Sequence, residues 1–338
     1  MGDSENPYAT PKGDPSREVD RREIHFLQPG GKGRAIANGA ASVLKSVFTI
    51  LGALFVLGYL FSMFARGRQV RRRGRVLLPG ITTGGAWAGP PVAIRSASSA
   101  PAGLAPAWRE NARTEHASVA AFARLVLDLV ALGAPPELIA AANLDALDEI
   151  RHAELCFAIA RSFGGAGEGP APFPEVRRLE PLPRMRTAAL AKLAVESLVD
   201  GALHEGVSAR VIGAVARRSE DASLRDVLEA IAADEARHAA HGWDVVEWCA
   251  AEGGARVAQV LAGAIRAVPR ELASSRQPEA RDGAWERWGI PGSELERNAY
   301  AELRARLAAR VTRLCDAGSA SHRATLPLSG LAGRPASA

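Results

Sequence analysis

Two copies of one six-residue string constrain this chain more than any other feature. Asp148-Glu149-Ile150-Arg151-His152-Ala153 and Asp234-Glu235-Ala236-Arg237-His238-Ala239 both read DExRHA. On a helix, residues i and i+3 share a face, so the Glu and His of each string address one point in space. Both strings interrupt apolar stripes. Ala142, Ala146, Cys156 and Ile159 continue the face of Glu149 and His152; Leu228, Ile231 and Val245 continue that of Glu235 and His238. A charge set into a core stripe needs a partner or a metal ion.

Helical periodicity surrounds both strings. From Trp108 an apolar stripe runs through Ala112, Val119, Phe122, Val126 and Leu129 until Gly133-Ala134-Pro135-Pro136 stops it. A second helix is predicted over about 137–163, a third over about 186–218 and a fourth from the capping residues near 220 to about 252. The connections are short, long, short, which predicts an all-α fold: two antiparallel hairpins joined by a crossover, a ferritin-like four-helix bundle. Two further helices are expected at 255–273 and 293–316, and strand patterns are absent.

The first and third helices offer matching acids. Glu115-His116-Ala117-Ser118 and Glu205-Gly206-Val207-Ser208 share an ExxS pattern, and Glu115 sits between Ala112 and Val119 on its stripe. The third helix also carries Glu196. Glu205 and Glu235 stand about equally far from the turn near 220, hence at one height. Glu196 is displaced by roughly 13 Å along the axis and turned about 180° away. Glu205 is favoured; Glu196 stays a candidate for a kinked helix. His116 and His204 adjoin the acids but point about 100° away, and are expected on helix surfaces.

Glu115, Glu149, His152, Glu205, Glu235 and His238 then converge as four carboxylates and two imidazoles. Four negative charges in a dry core call for compensation, and two divalent ions supply it. This donor mix suits iron or manganese. Cys156, Cys249 and Cys315 are too widely spaced for a zinc-thiolate pair and too few for a disulfide scaffold.

Glu, DExRH, Glu, DExRH on successive helices resembles the ferritin-like di-iron carboxylate superfamily. The DExRH form is similar to that of bacterial multicomponent monooxygenases. The compact hairpins are similar to those of di-iron tRNA hydroxylases and bacterial ferritin-like domain proteins. The resemblance covers about 108–250. It implies that the six residues bind two iron ions, and that Asp148 orients His238 and Asp234 orients His152 through the second imidazole nitrogen. Arg151 and Arg237 would pair with these acids. Cys156 stands one turn past His152, where some relatives hold a radical tyrosine; as a cysteine it reads first as a small core residue. His241, one turn beyond His238, is an extra ligand candidate or a rim residue.

The rest of the chain is organised differently. Residues 1–45 form a polar tail of mixed charge. Residues 46–65 (SVFTILGALFVLGYLFSMFA) carry no charge. At about 1.5 Å per residue they span roughly 30 Å, one bilayer core, and predict a single transmembrane helix. Arg66, Arg68, Arg71, Arg72, Arg73 and Arg75 follow at once. Positive-inside weighting places the bulk of the protein in the cytoplasm. Residues 66–106 read as a basic, then Gly/Pro/Ala-rich linker, 107–253 as the di-metal bundle, 254–317 as accessory helices and 318–338 as a flexible tail. The net charge of +5 therefore reports membrane topology more than nucleic-acid binding; lysine occurs only at Lys12, Lys32, Lys45 and Lys192.

The resemblance implies an O₂-dependent di-iron oxidoreductase, a hydroxylase or oxidase, here expected to be tethered to a membrane that supplies an apolar substrate or a quinol. An electron-donor protein is the other candidate reductant. The competing expectation is a ferroxidase, iron-binding or peroxide-scavenging protein, which would show an acidic path for iron. The sequence carries no continuous acidic stripe of that kind.

Overall fold

The structure, a computed structural model, describes residues 68–72, 75–84, 87, 90–95, 97–174, 182–272 and 283–324, with side chains to Asp316 in the last helix. The expected tail 1–45 and apolar segment 46–65 lie outside the described residues. Among the described residues no helix is long and apolar enough to cross a membrane.

The described chain is mostly helical. Helix α1, Leu104–Leu132, ends at Gly133, whose left-handed backbone (φ 68) turns its N–H onto the carbonyls of Leu129 and Val130. Pro136 opens α2, Pro136–Ser162, at a position where the missing N–H costs nothing. So short a link lays α1 and α2 side by side. A continuous third rod follows: α3 (Arg186–Glu196), a π-helical segment (Ser197–Glu205) and α4 (Gly206–Arg218). Asp221 caps α5, Ala222–Ala267, by accepting the Leu224 N–H at 3.2 Å. Gly254 (φ 58, ψ −148) breaks α5 into two limbs, the second matching the accessory helix expected from 255. Helix α6, Ser293–Ala324, packs on α5 through Tyr300, Leu307 and Val311, and Arg310 stacks on Trp243 at 4.2 Å.

Two apolar clusters flank a polar layer. One gathers Phe122, Leu125, Leu129, Ala142, Leu193, Leu198, Val211 and Val245. The other gathers Trp108, Ala112, Cys156, Ile159, Val215, Leu224 and Leu228. Helix α1 passes from the second cluster to the first, α2 returns, the third rod rises from the first to the second and α5 descends again. On α1, α2 and α5 the acids and histidines of the repeated pattern fall between the two clusters, so the sequence order of apolar and polar residues sets the height of the site.

Four short strands were not expected. β1 (Arg71–Arg72) pairs with β2 (Arg75–Val76), and β3 (Ile81–Thr83) with β4 (Glu168–Pro170), both antiparallel. At two or three residues each they are too short to show a period-2 pattern. The stretch expected as a solvated linker also contributes to the core. Arg68, Gln69, Val70 and Ile94 are buried.

Candidate metal centre

Six side chains from α1, α2, the π segment and α5 meet in the polar layer. Glu115, Glu149, His152 and Glu235 bring one donor atom each to within 4.8 Å of one another, and so do Glu149, Glu205, Glu235 and His238. The two groups share Glu149 and Glu235. All but the half-buried Glu115 are buried. These are the six residues singled out by the repeat and by helical height.

The histidines present the same nitrogen inward. His152 Nδ1 lies 3.5 Å from Glu235 Oε1 and 3.9 Å from Glu149 Oε2; His238 Nδ1 lies 3.3 Å from Glu149 Oε1. Their outward nitrogens face acids. His152 Nε2 is 3.2 Å from Asp234 Oδ2, and His238 Nε2 is 3.5 Å from Asp148 Oδ2 and 3.6 Å from Asp145 Oδ1. Each DExRH aspartate thus lies against the other string's histidine. Arg151 pairs with Asp234 and Arg237 with Asp148, tying the two strings together from outside. Burial pushes the Asp234 carboxyl up, but the His152 and Arg237 hydrogen bonds and the charge of Arg151 outweigh it and hold the group below its usual range.

Inside the cluster the balance is reversed. Burial, then the neighbouring carboxylates, raise Glu149 and Glu205 well above the ordinary range. Burial, with the charges of Glu115, Asp234 and Asp145, pushes Glu235 up to about 8. Glu149 faces Glu115 and Glu205 faces Glu235, carboxyl to carboxyl; only shared protons or a cation make this favourable. Both oxygens of Glu149, Oε2 of Glu205 and Glu235, and Nδ1 of both histidines are buried without a well-formed hydrogen bond. Convergent acceptors without donors fit a metal ion.

The remaining candidates fall outside the two groups. Glu196 turns away and pairs with Lys192 at 2.5 Å. Cys156 packs in the apolar cluster of Trp108 and Leu228. His241 is buried, its Nδ1 2.6 Å from Asp145 Oδ2, and it joins no metal group.

Two histidines depart from the expected surface position. His204 is buried beside Asp200, its Nδ1 3.4 Å from Oδ1, because the π segment carries this face inward against the Arg68–Arg71 stretch. His116 is half-buried and meets Trp87 edge-on at 4.9 Å, a residue of the supposed linker.

Sequence reasoning missed Asp145, Asp200 and Arg68. Asp145 stands one helical turn before Glu149, and that spacing was the signal for its place under His238. Arg71 grips Asp200 through both carboxylate oxygens, at 2.7 and 2.8 Å. Arg68 had no local signal beyond its place in a basic run. The π segment also passes α5 at very close range. A Cβ on Gly242 would lie 2.7 Å from the Ala202 nitrogen and 2.9 Å from Gly201 Cα, so this crossing requires glycine.

No protein-family model, curated protein or solved structure matches this chain. Fold and site together define a mostly helical protein with buried Glu, Asp and His groups able to hold a metal ion, a third group being Asp145, Asp148 and His238.

Proposed function

We propose that this chain is a ferritin-like di-iron carboxylate protein whose four long rods form an antiparallel bundle. It acts as an O₂-dependent oxidoreductase, a hydroxylase or oxidase, tethered to a membrane by residues 46–65 with its bulk on the cytoplasmic side. The observation that carries this is the pair of four-donor groups sharing Glu149 and Glu235. Two positions with two common carboxylates are what a dinuclear site needs.

Iron at the two positions would supply the redox chemistry with O₂. The chain's own part is to bind, orient and exclude water. Glu149 and Glu235 serve both positions. Glu115 and His152 complete one, Glu205 and His238 the other. Asp234 sets the tautomer of His152, because an imidazole that donates outward from Nε2 keeps the Nδ1 lone pair inward. Asp148 and Asp145 face His238 Nε2 at 3.5 and 3.6 Å, without a hydrogen bond, and favour the same tautomer through their charge. The apolar clusters above and below keep water from the layer.

The surroundings of Glu115 favour an organic substrate over ferroxidase chemistry. Glu110 is paired with Arg113 and Glu168 with Arg109 through one oxygen, while His116, the residue after Glu115, forms an aromatic group with Trp87 and Phe173. An iron path would present unpaired acids there. A bilayer-borne apolar substrate or a quinol suits an aromatic approach, and an electron-donor protein is the other source of reducing equivalents.

The test is metal analysis of the full chain in detergent, then anaerobic Fe(II) loading and exposure to O₂. Two ions per chain and oxygen-dependent oxidation of both are expected. Fewer than two ions per chain overturns the proposal. Oxidation coupled to iron accumulation beyond two ions redirects it to a ferroxidase.

A further inference from the structure

Arg68 is where a segment outside the four rods reaches the metal centre. Its backbone N–H donates to Glu205 Oε1 at 2.7 Å, and its carbonyl accepts from Ser118 Oγ at 2.8 Å. Its guanidinium is buried over the ring of Phe122, 5.3 Å from the centroid, and that ring meets His238 at 5.3 Å. It also fills the space where a side chain on Gly201 would be, since a Cβ there would fall 2.8 Å from Nη2. Beyond it Val70 is buried, Arg71 grips Asp200, and the Leu77 N–H bonds back to the Val70 carbonyl at 2.9 Å. The arm is therefore docked along its length, 137 positions in sequence from the carboxylate it contacts.

Among the described residues, Glu205 is the ligand carboxylate that accepts a backbone N–H; Glu115, its counterpart in the other group, has none. A main-chain amide on a carboxylate is a charge-assisted bond of fixed direction. It leaves Oε2 of Glu205, buried and without a hydrogen bond, for the shared centre. The guanidinium adds a second effect. Buried, it sets its positive charge against Glu205 first, then Glu196, Asp145 and Asp128, and so offsets part of the negative charge gathered here.

We propose that the Arg68–Arg71 arm is a structural part of the metal centre and that Arg68 is a positioning residue. Its main-chain amide holds Glu205 in the orientation required by the ion bound between Glu149, Glu205, Glu235 and His238, a role that rests on the di-metal proposal. The arm begins three residues after the apolar segment 46–65.

The test compares Arg68→Ala with Arg68→Pro in the full chain, titrated with Mn(II) under equilibrium competition. Both variants lack the guanidinium; only proline lacks the N–H. Wild type is expected to bind two ions; any weakening in Arg68→Ala measures the guanidinium, which both variants lack, so the difference between Arg68→Pro and Arg68→Ala measures the N–H. Arg68→Pro should keep one and bind the other about 10- to 100-fold more weakly, the usual loss when a ligand's outer partner is removed. Helical content by circular dichroism should be unchanged. Equal binding of both ions by Arg68→Pro and Arg68→Ala overturns the arm's role and leaves the di-metal proposal standing. A wild-type chain that binds no Mn(II) and no Fe(II) overturns both. If Arg68→Pro loses helical content, Ser118→Ala decides, because it frees the carbonyl of the same residue without touching the arm's sequence. Weakening of one ion supports the role, and two unaltered ions overturn it.

Discussion

The two halves of the site carry the same six-residue string and differ in almost everything around it. In the Glu115–His152 half, the position one turn before Glu235 is the apolar Ile231, His152 has a single acid behind it, and Glu115 is half-exposed beside an aromatic group. In the Glu205–His238 half, the equivalent position is the buried Asp145, His238 faces two acids, and Glu205 is sealed under the Arg68 arm. A repeated motif supplies donors; the residues one turn away decide which donor is reachable. Glu115 is the more exposed of the two outer acids and Glu205 the more enclosed.

The comparison breaks most completely at the shared carboxylates. Glu149→Ala or Glu235→Ala removes a donor from both groups and should reduce the metal content from two ions per chain to nearly none. Glu115→Ala or Glu205→Ala should leave one. Elemental analysis of the four purified variants separates these outcomes. Equal loss in all four would mean that the halves are not separate positions. Glu196→Ala, which removes the partner of Lys192 and lies outside both donor groups, should retain both ions.

A change of pH should move stability next most strongly. In the metal-free protein Glu235 titrates near 8 rather than 4.5, and Glu149 and Glu205 are raised too. Between those two values the folded state holds protons that the unfolded state has released. Stability of the metal-free protein should therefore fall as pH rises from about 4.5 to about 8, and be fullest below that window. Metal takes the place of those protons, so its stabilising effect should grow over the same range, with protons released on binding. Urea midpoints at both ends of the window, with and without Mn(II), measure this. A metal-free midpoint that rises with pH would show that the carboxylates are already ionised and compensated by other means.

That these six side chains meet was legible from the ExxH spacing and from the matching heights of the acids, although Glu205 lies in a π-helical segment rather than on the α-helix expected there. The rod order and the hairpin stops were legible as well: Gly133, Pro136 and Asp221 act locally. What could not be read depends on contacts between distant segments. Arg68 lies in a run of arginines after an apolar stretch, and nothing local distinguishes one that flanks a membrane from one that enters a core. His204 was expected outward because an α-helical period was assumed where the backbone runs as a π-helix over Ser197–Glu205. Such segments are rare, tend to occur at functional sites and have no reliable local signature. Asp145 belongs to no motif, and only its spacing of one turn from Glu149 marks it as lying beneath the site.

The smallest effects should come from the acids behind the histidines, and their order sharpens the comparison between halves. Asp234→Asn removes the one carboxylate at His152 Nε2, so the imidazole loses its negatively charged acceptor. The ion held with Glu115 should weaken by about 10- to 100-fold. Asp148→Asn leaves Asp145 3.6 Å from His238 Nε2, so one carboxylate charge still faces that nitrogen. Its effect on the ion held with Glu205 should be smaller than that of Asp234→Asn. Combining Asp148→Asn with Asp145→Asn should bring the loss at this ion up to that seen for Asp234→Asn. Competition titrations resolve the two ions through their different affinities. If Asp148→Asn alone matches Asp234→Asn, then Asp145 belongs to His241, which it meets at 2.6 Å, and lends His238 nothing. The two halves would then differ in their outer wall and in the Arg68 arm, and be alike in how each histidine is held.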